Sequence, residues 1–127
     1  MTDKKKTVLL VEDEVSIRTS IKIGFEKEGF QVFEAGNGIE ALSLDAKEKA
    51  DIVLLDILMP EMNGYEFLEA FRKKDKKTPV VILTNLGGGE DIAKTIELGA
   101  TQTFVKVDTP LHRIIDVANE LIQSSTS

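Results

Sequence analysis

The sequence predicts an α/β fold of the doubly wound type, and three observations carry that prediction. Short β-rich runs alternate with segments of helical period, five times along the chain. The first run, Val8-Leu9-Leu10-Val11, is apolar throughout, as a strand is when helices cover both faces of a parallel sheet. The 127 residues hold no linker, repeat or low-complexity insert, which suits one domain with a real hydrophobic core.

The elements follow in order. After the first strand, Ile17, Ile21, Gly24 and Phe25 fall on one face of a helix that Gly29 ends. Gln31 to Ala35 reads as the second strand, and the Asn37-Gly38 turn leads to a helix marked by Ile39, Leu42, Ala46 and Ala50. Ile52 to Asp56 is the third strand, and Tyr65, Leu68 and Phe71 line the third helix. Pro79 opens the fourth strand, Val80 to Thr84. Ile92, Ala93 and Ile96 mark a fourth helix stopped at Gly99, and a short fifth strand covers Thr103 to Lys106. The last helix carries Leu111, Ile114, Ile115, Ala118, Leu121 and Ile122 on one face, with Thr109 as N-cap and Pro110 at its first position.

Five such units in series imply right-handed crossovers, and the flavodoxin-like strand order 2-1-3-4-5 fits this length best. Residues 1–127 form a single domain with a core spanning 6–123, and residues 1–5 and 124–127 are expected to be flexible.

Composition narrows the function classes. A net charge of −6, from 16 basic and 22 acidic residues, argues against direct nucleic-acid binding, which needs a basic face. The clusters Lys4-Lys5-Lys6 and Lys73-Lys74 with Lys76-Lys77 read as solvated lysines. No apolar run reaches the length of a membrane span, and the N-terminus lacks a secretory signal, so a cytoplasmic location is expected. The absence of cysteine excludes disulfides and thiolate metal sites, and the single histidine excludes most histidine metal clusters.

The chemistry collects at the strand ends. Strand one runs into Glu12-Asp13, strand three ends in Asp56, strand four in Thr84 and strand five in Lys106. In the 2-1-3-4-5 order these strands are neighbours, and sites in open parallel sheets form beyond such carboxyl ends. Any one of these residues alone reads as a cap, a turn or a surface group; their joint placement makes the case. Two carboxylates about 4 Å apart repel by about 4 kcal/mol at an effective dielectric of about 20, so a proton or a cation must join them. Oxygen ligands suit Mg²⁺, with Mn²⁺ as a substitute. With Thr84 and Lys106 beside it, the set fits a phosphoryl anion, and a carboxylate there can be the nucleophile that takes the group.

The segments VLLVEDE, ADIVLLDILMPEMNGYEFL, VVILTN and FVK, with EKEGFQVFEAGNGIEAL between them, resemble the receiver domain of two-component response regulators, of the single-domain type. The resemblance covers nearly the whole chain. It implies that Asp56 is the phosphoacceptor and that Glu12, Asp13, Asp56 and the backbone carbonyl of Leu58 hold Mg²⁺. It further implies that Thr84 and Lys106 contact the phosphoryl oxygens, and that Thr84 with the residue at Thr103 forms the switch.

The stretch TQTFVKVDTP departs from that family, which usually has an aromatic where this chain has Thr103. Phe104 cannot take its place without a register slip, because neighbouring strand residues face opposite sides. The family also places a proline with a cis bond after the lysine. Here Val107 follows, and a non-proline cis bond costs about 2.5–4 kcal/mol, so a trans bond is expected. The switch is therefore expected to run through Thr84, the 85–91 loop with Gly87-Gly88-Gly89, and the fourth helix. No Gly-Lys-Ser/Thr follows that triple glycine, so it is a flexible connector and not a phosphate-binding loop. Asn85, Leu58 and Leu86 border the site with groups expected to hinder an attacking water, which implies a long-lived phosphoaspartate.

The resemblance implies a signalling switch that catalyses its own phosphorylation from a phosphohistidine, and no enzyme beyond this self-phosphorylation and autodephosphorylation. A phosphohydrolase needs a second acid near the nucleophile, and Leu58 does not fit that role. A degenerate docking module does not need the complete set of key residues present here. The implied donor is a sensor histidine kinase or histidine phosphotransfer protein, and output passes to a downstream protein. That output is expected through the face of the fourth helix, fifth strand and fifth helix, from a monomer or a phosphorylation-dependent dimer.

Overall fold

The computed structural model describes residues 5–57, 62–84, 89–105 and 109–126. Five strands and five helices alternate along the chain: β1 Thr7–Val11, α1 Val15–Lys27, β2 Gln31–Ala35, α2 Gly38–Lys47, β3 Ile52–Asp56, α3 Gly64–Lys74, β4 Val80–Thr84, α4 Gly89–Glu97, β5 Gln102–Val105 and α5 Leu111–Thr126. The strands form one parallel sheet in the order β2-β1-β3-β4-β5, the flavodoxin-like order expected from the sequence. β1, β3 and β4 lie in its interior, and β3 and β4 are buried at every position.

Alternation along the strands divides the core in two. Leu9, Val11, Val53, Leu55, Val80 and Ile82 point toward one face, where Ala41, Phe67, Leu68 and Phe71 of α2 and α3 cover them. Val8, Leu10, Ile52, Leu54, Val81 and Leu83 meet Ile21, Phe25, Ile114, Ile115 and Ala118 of α1 and α5 on the other. Phe25 and Phe30 pack edge to face with centroids 4.9 Å apart, and Phe67 and Phe71 stack at 5.5 Å. Asp51 locks the start of β3 to β1: its carboxylate accepts from the Thr7 amide at 2.9 Å and the Thr7 hydroxyl at 3.1 Å. These bonds tie β3 to β1 in the register that carries Asp56 to the opposite end of the sheet.

Several local readings are corrected. On α2 Gly38 and Ala41 are buried and Leu42 packs against the core as expected, whereas Ile39 and Ala46 are exposed and buried Ala50 lies beyond the helix. Small residues win there because the helix sits close to its neighbours, and a Cβ on Gly38 would lie 2.7 Å from Met62. Among the described side chains of α4 the buried one is Thr95, while Ala93 and Ile96 are exposed. β5 begins one residue earlier than expected, at Gln102. α5 begins at Leu111, one residue later than expected: Pro110 supplies the carbonyl that accepts from Ile114, and the Thr109 hydroxyl donates to the Val105 carbonyl at 2.9 Å. Phe104 packs with the α1/α5 cluster while Thr103 faces α4, so the two residues do lie on opposite faces.

Candidate functional site at the carboxyl ends of the strands

Register alone brings the acidic residues together. Val11 pairs with Leu55 across β1 and β3, so Glu12 and Asp56 come next, side by side. The carboxylates of Glu12, Asp13 and Asp56 each place an oxygen within 4.8 Å of the others. Glu12 is 2% exposed and Asp56 7%, while Asp13 is open to solvent. Carboxylates this close, with two of them buried, are compatible with a divalent cation, and oxygen-only donors suit Mg²⁺. Buried Thr84 ends the neighbouring strand, one residue beyond the Asp56–Leu83 pair, and itself pairs with Val105.

The loops around this cluster are held by specific contacts. Gly64 presses against the end of β3, and its amide donates to the Ile57 carbonyl at 2.9 Å. A Cβ there would lie 2.6 Å from the Ile57 Cα and 2.7 Å from the Asp56 carbonyl oxygen, so only glycine fits. Asn63 caps α3: its side chain accepts from the Glu66 amide at 3.0 Å, and Glu66 accepts from the Asn63 amide at 3.1 Å. The Asn63-Gly64 pair is thus a helix cap and a close-approach point as well as a turn.

Arg18 and Thr95, which the sequence did not single out, stand close to the predicted groups. The Arg18 guanidinium donates to the Glu12 carbonyl at 2.8 Å and meets Glu34 at 3.3 Å. Lys22 meets the same carboxylate at 3.0 Å. Burial pushes the Glu34 carboxyl up, but the Lys22 and Arg18 contacts outweigh it and hold Glu34 below the usual range. The Thr95 hydroxyl reaches the Ile92 carbonyl at 2.7 Å and the Thr103 hydroxyl at 2.7 Å. A pattern of apolar residues finds neither, since one is an arginine on a helix surface and the other a threonine.

The structure therefore brings Glu12, Asp13 and Asp56 together, with Thr84 on the adjoining strand and Thr103 against α4. Lys106, which follows Val105, lies outside the described residues, as do Leu58, Asn85, Leu86, Gly87 and Gly88 and the Lys106–Val107 bond.

A five-stranded parallel sheet with an acidic cluster at the carboxyl ends of β1 and β3 defines a receiver-type phosphorylation domain. Residues 8–116 match the response regulator receiver domain, and the chain belongs to that family. It is 40% identical over 99 residues to sporulation initiation phosphotransferase F of Bacillus subtilis, covering 78% of this chain and 80% of that protein. It is 37% identical to the cell cycle response regulator CtrA of Brucella ovis over 84% of this chain, but spans only 44% of that longer protein. Among solved structures, the chemotaxis protein CheY4 of Vibrio cholerae superposes with a TM-score of 0.86 at 30% identity, covering 93% of this chain and 99% of that one. A CheY-like receiver domain protein of Methanospirillum hungatei gives 0.91 at 25% identity, over 97% and 98%. The chain is a response regulator receiver, a phosphorylated signalling switch of two-component systems.

Proposed function

We propose that Asp56 is the residue phosphorylated, and that the group comes from the phosphohistidine of a sensor histidine kinase or a histidine phosphotransfer protein. A carboxylate oxygen of Asp56 attacks phosphorus, the new O–P bond forms as the N–P bond breaks, and the leaving imidazole takes up a proton. Glu12, Asp13, Asp56 and the Leu58 carbonyl would hold Mg²⁺, or Mn²⁺ in its place, which when bound offsets charge on the phosphoryl oxygens. Lys106 adds a second positive charge by its place in the family motif, and Thr84 donates a hydrogen bond to a phosphoryl oxygen.

The observation that carries this reading is the convergence of three carboxylates at the ends of β1 and β3, with Asp56 at the end of a wholly buried strand. The protein is not an enzyme on other substrates; it catalyses only its own phosphorylation and its own dephosphorylation. The name of the Bacillus subtilis relative, a sporulation initiation phosphotransferase, supports a chain that takes up a phosphoryl group. Among the described residues no helix is long and apolar enough to cross a membrane, and the cytoplasm is the proposed location.

Uptake from phosphoramidate, whose N–P bond stands in for phosphohistidine, tests the reading. The chain gains one phosphoryl group in the presence of Mg²⁺ and none after chelation. Continuous multiple turnover of a simple phosphate ester would point instead to a phosphohydrolase.

A further inference from the structure

Arg18 lies one turn into α1 and makes two unlike contacts. Its Nη1 donates to the Glu12 carbonyl oxygen at 2.8 Å, and its Nε donates to the Glu34 carboxylate at 3.3 Å. Glu34 sits on β2 and is steadied through its other oxygen by Lys22 Nζ at 3.0 Å. Around the same loop, the Glu12 amide donates to the Ala35 carbonyl at 3.0 Å, and the Glu14 amide donates to Glu12 Oε2 at 3.2 Å. The backbone donor, the backbone acceptor and one carboxylate oxygen of Glu12 are thus all engaged.

The Glu12 carbonyl and the Asp13 amide belong to one rigid peptide plane. A bond to that carbonyl sets the plane, and with it the direction in which the exposed Asp13 leaves the strand. A planar guanidinium can serve the carbonyl and Glu34 together, whereas a lysine ammonium is a compact point charge on a flexible stem. The brace crosses from α1 to β2, so it ties the acidic loop to the sheet from the side opposite Asp56.

From these contacts we infer that Arg18 is a positioning residue: braced by Glu34, it fixes the Glu12–Asp13 peptide so that both carboxylates meet Asp56 around a divalent cation. This rests on the cation site proposed above. A cation that merely offset the acidic cluster would behave in the opposite way, since removing it would tighten metal binding.

The test uses the full chain, with Mg²⁺ titrated by calorimetry and nitrogen-relaxation order parameters measured in the metal-free protein. Arg18→Met and Arg18→Lys each weaken Mg²⁺ binding about tenfold, as loss of a group that orients a ligand does. Lys22→Met, which removes only the outer partner of Glu34, changes it by less than about twofold. In the absence of metal, the order parameters of Asp13 and Glu14 fall in Arg18→Met and stay in place in Lys22→Met. Binding that is unchanged or tighter in Arg18→Met, or fully restored in Arg18→Lys, overturns the inference. If the wild type binds no Mg²⁺, the cation site itself is wrong, and unchanged order parameters in Arg18→Met then remove the positioning role as well.

Discussion

The hydroxyl of Thr95 on α4 and the hydroxyl of Thr103 on β5 lie 2.7 Å apart and share a hydrogen bond. Thr95 is 1% exposed and also donates to the Ile92 carbonyl, so this bond joins a buried helix residue to a half-buried strand residue. Thr103 occupies the position where receiver domains usually carry an aromatic. In this chain the position holds a small polar latch on α4.

The expected readout of phosphorylation runs through this latch and α4. Phosphorylation changes amide exchange across residues 84–98, and Thr103→Val speeds exchange in α4 in the unphosphorylated protein. The stability cost of that substitution is about 1 kcal/mol, the net value of one hydrogen bond, because Thr95 keeps its bond to Ile92. Exchange in 84–98 that does not respond to phosphorylation would contradict the assignment.

Gly64 tests how tightly the end of β3 is specified. A methyl group there meets backbone atoms of Asp56 and Ile57 that cannot swing aside. Gly64→Ala therefore lowers stability by about 2 kcal/mol, within the usual range for overpacking, and slows phosphorylation by displacing Asp56. Chemical denaturation and phosphoramidate uptake measure the two effects; a variant normal in both contradicts the close approach.

Phe25 is fully buried against Phe30 and the α5 face. Phe25→Ala costs about 3–5 kcal/mol, the range for truncating a buried aromatic. It does so from the side of the sheet away from α2 and α3. A loss below about 1 kcal/mol by denaturation would show that α1 and α5 do not form a cohesive layer.

Asp75 gives a pH dependence with a definite sign. Burial pushes its carboxyl up, but the Thr78 hydroxyl and the Thr78 and Lys77 amides hold it below its ordinary value. A depressed folded-state value means that the contribution is complete above the unfolded value of about 3.9 and is lost as pH falls through the folded one. The stability advantage of wild type over Asp75→Asn is therefore flat above about pH 5 and shrinks below about pH 4. An advantage that grows on acidification has the wrong sign.

Most of the fold was legible because β1, β3 and β4 are buried on both faces, which leaves unbroken apolar runs in the sequence. The misread helix faces have a common cause. α2 packs through Gly38 and Ala41, whose small size is the point of the contact, and α4 buries Thr95, whose hydroxyl finds partners. Neither signal exists in a count of large apolar residues. The site was legible as a set because strand ends converge by topology, and the 4.8 Å clustering of Glu12, Asp13 and Asp56 follows from the register of β1 on β3. Arg18 was not legible, since its meaning depends on Glu34, which lies 16 residues away in sequence on a different element.

The central claim is that Asp56 takes the phosphoryl group, and intact mass after incubation with Mg²⁺ and a small-molecule phosphodonor tests it most directly. The wild type gains the mass of one phosphoryl group and Asp56→Ala gains none. An unmodified wild type, or an equally modified Asp56→Ala, contradicts the account.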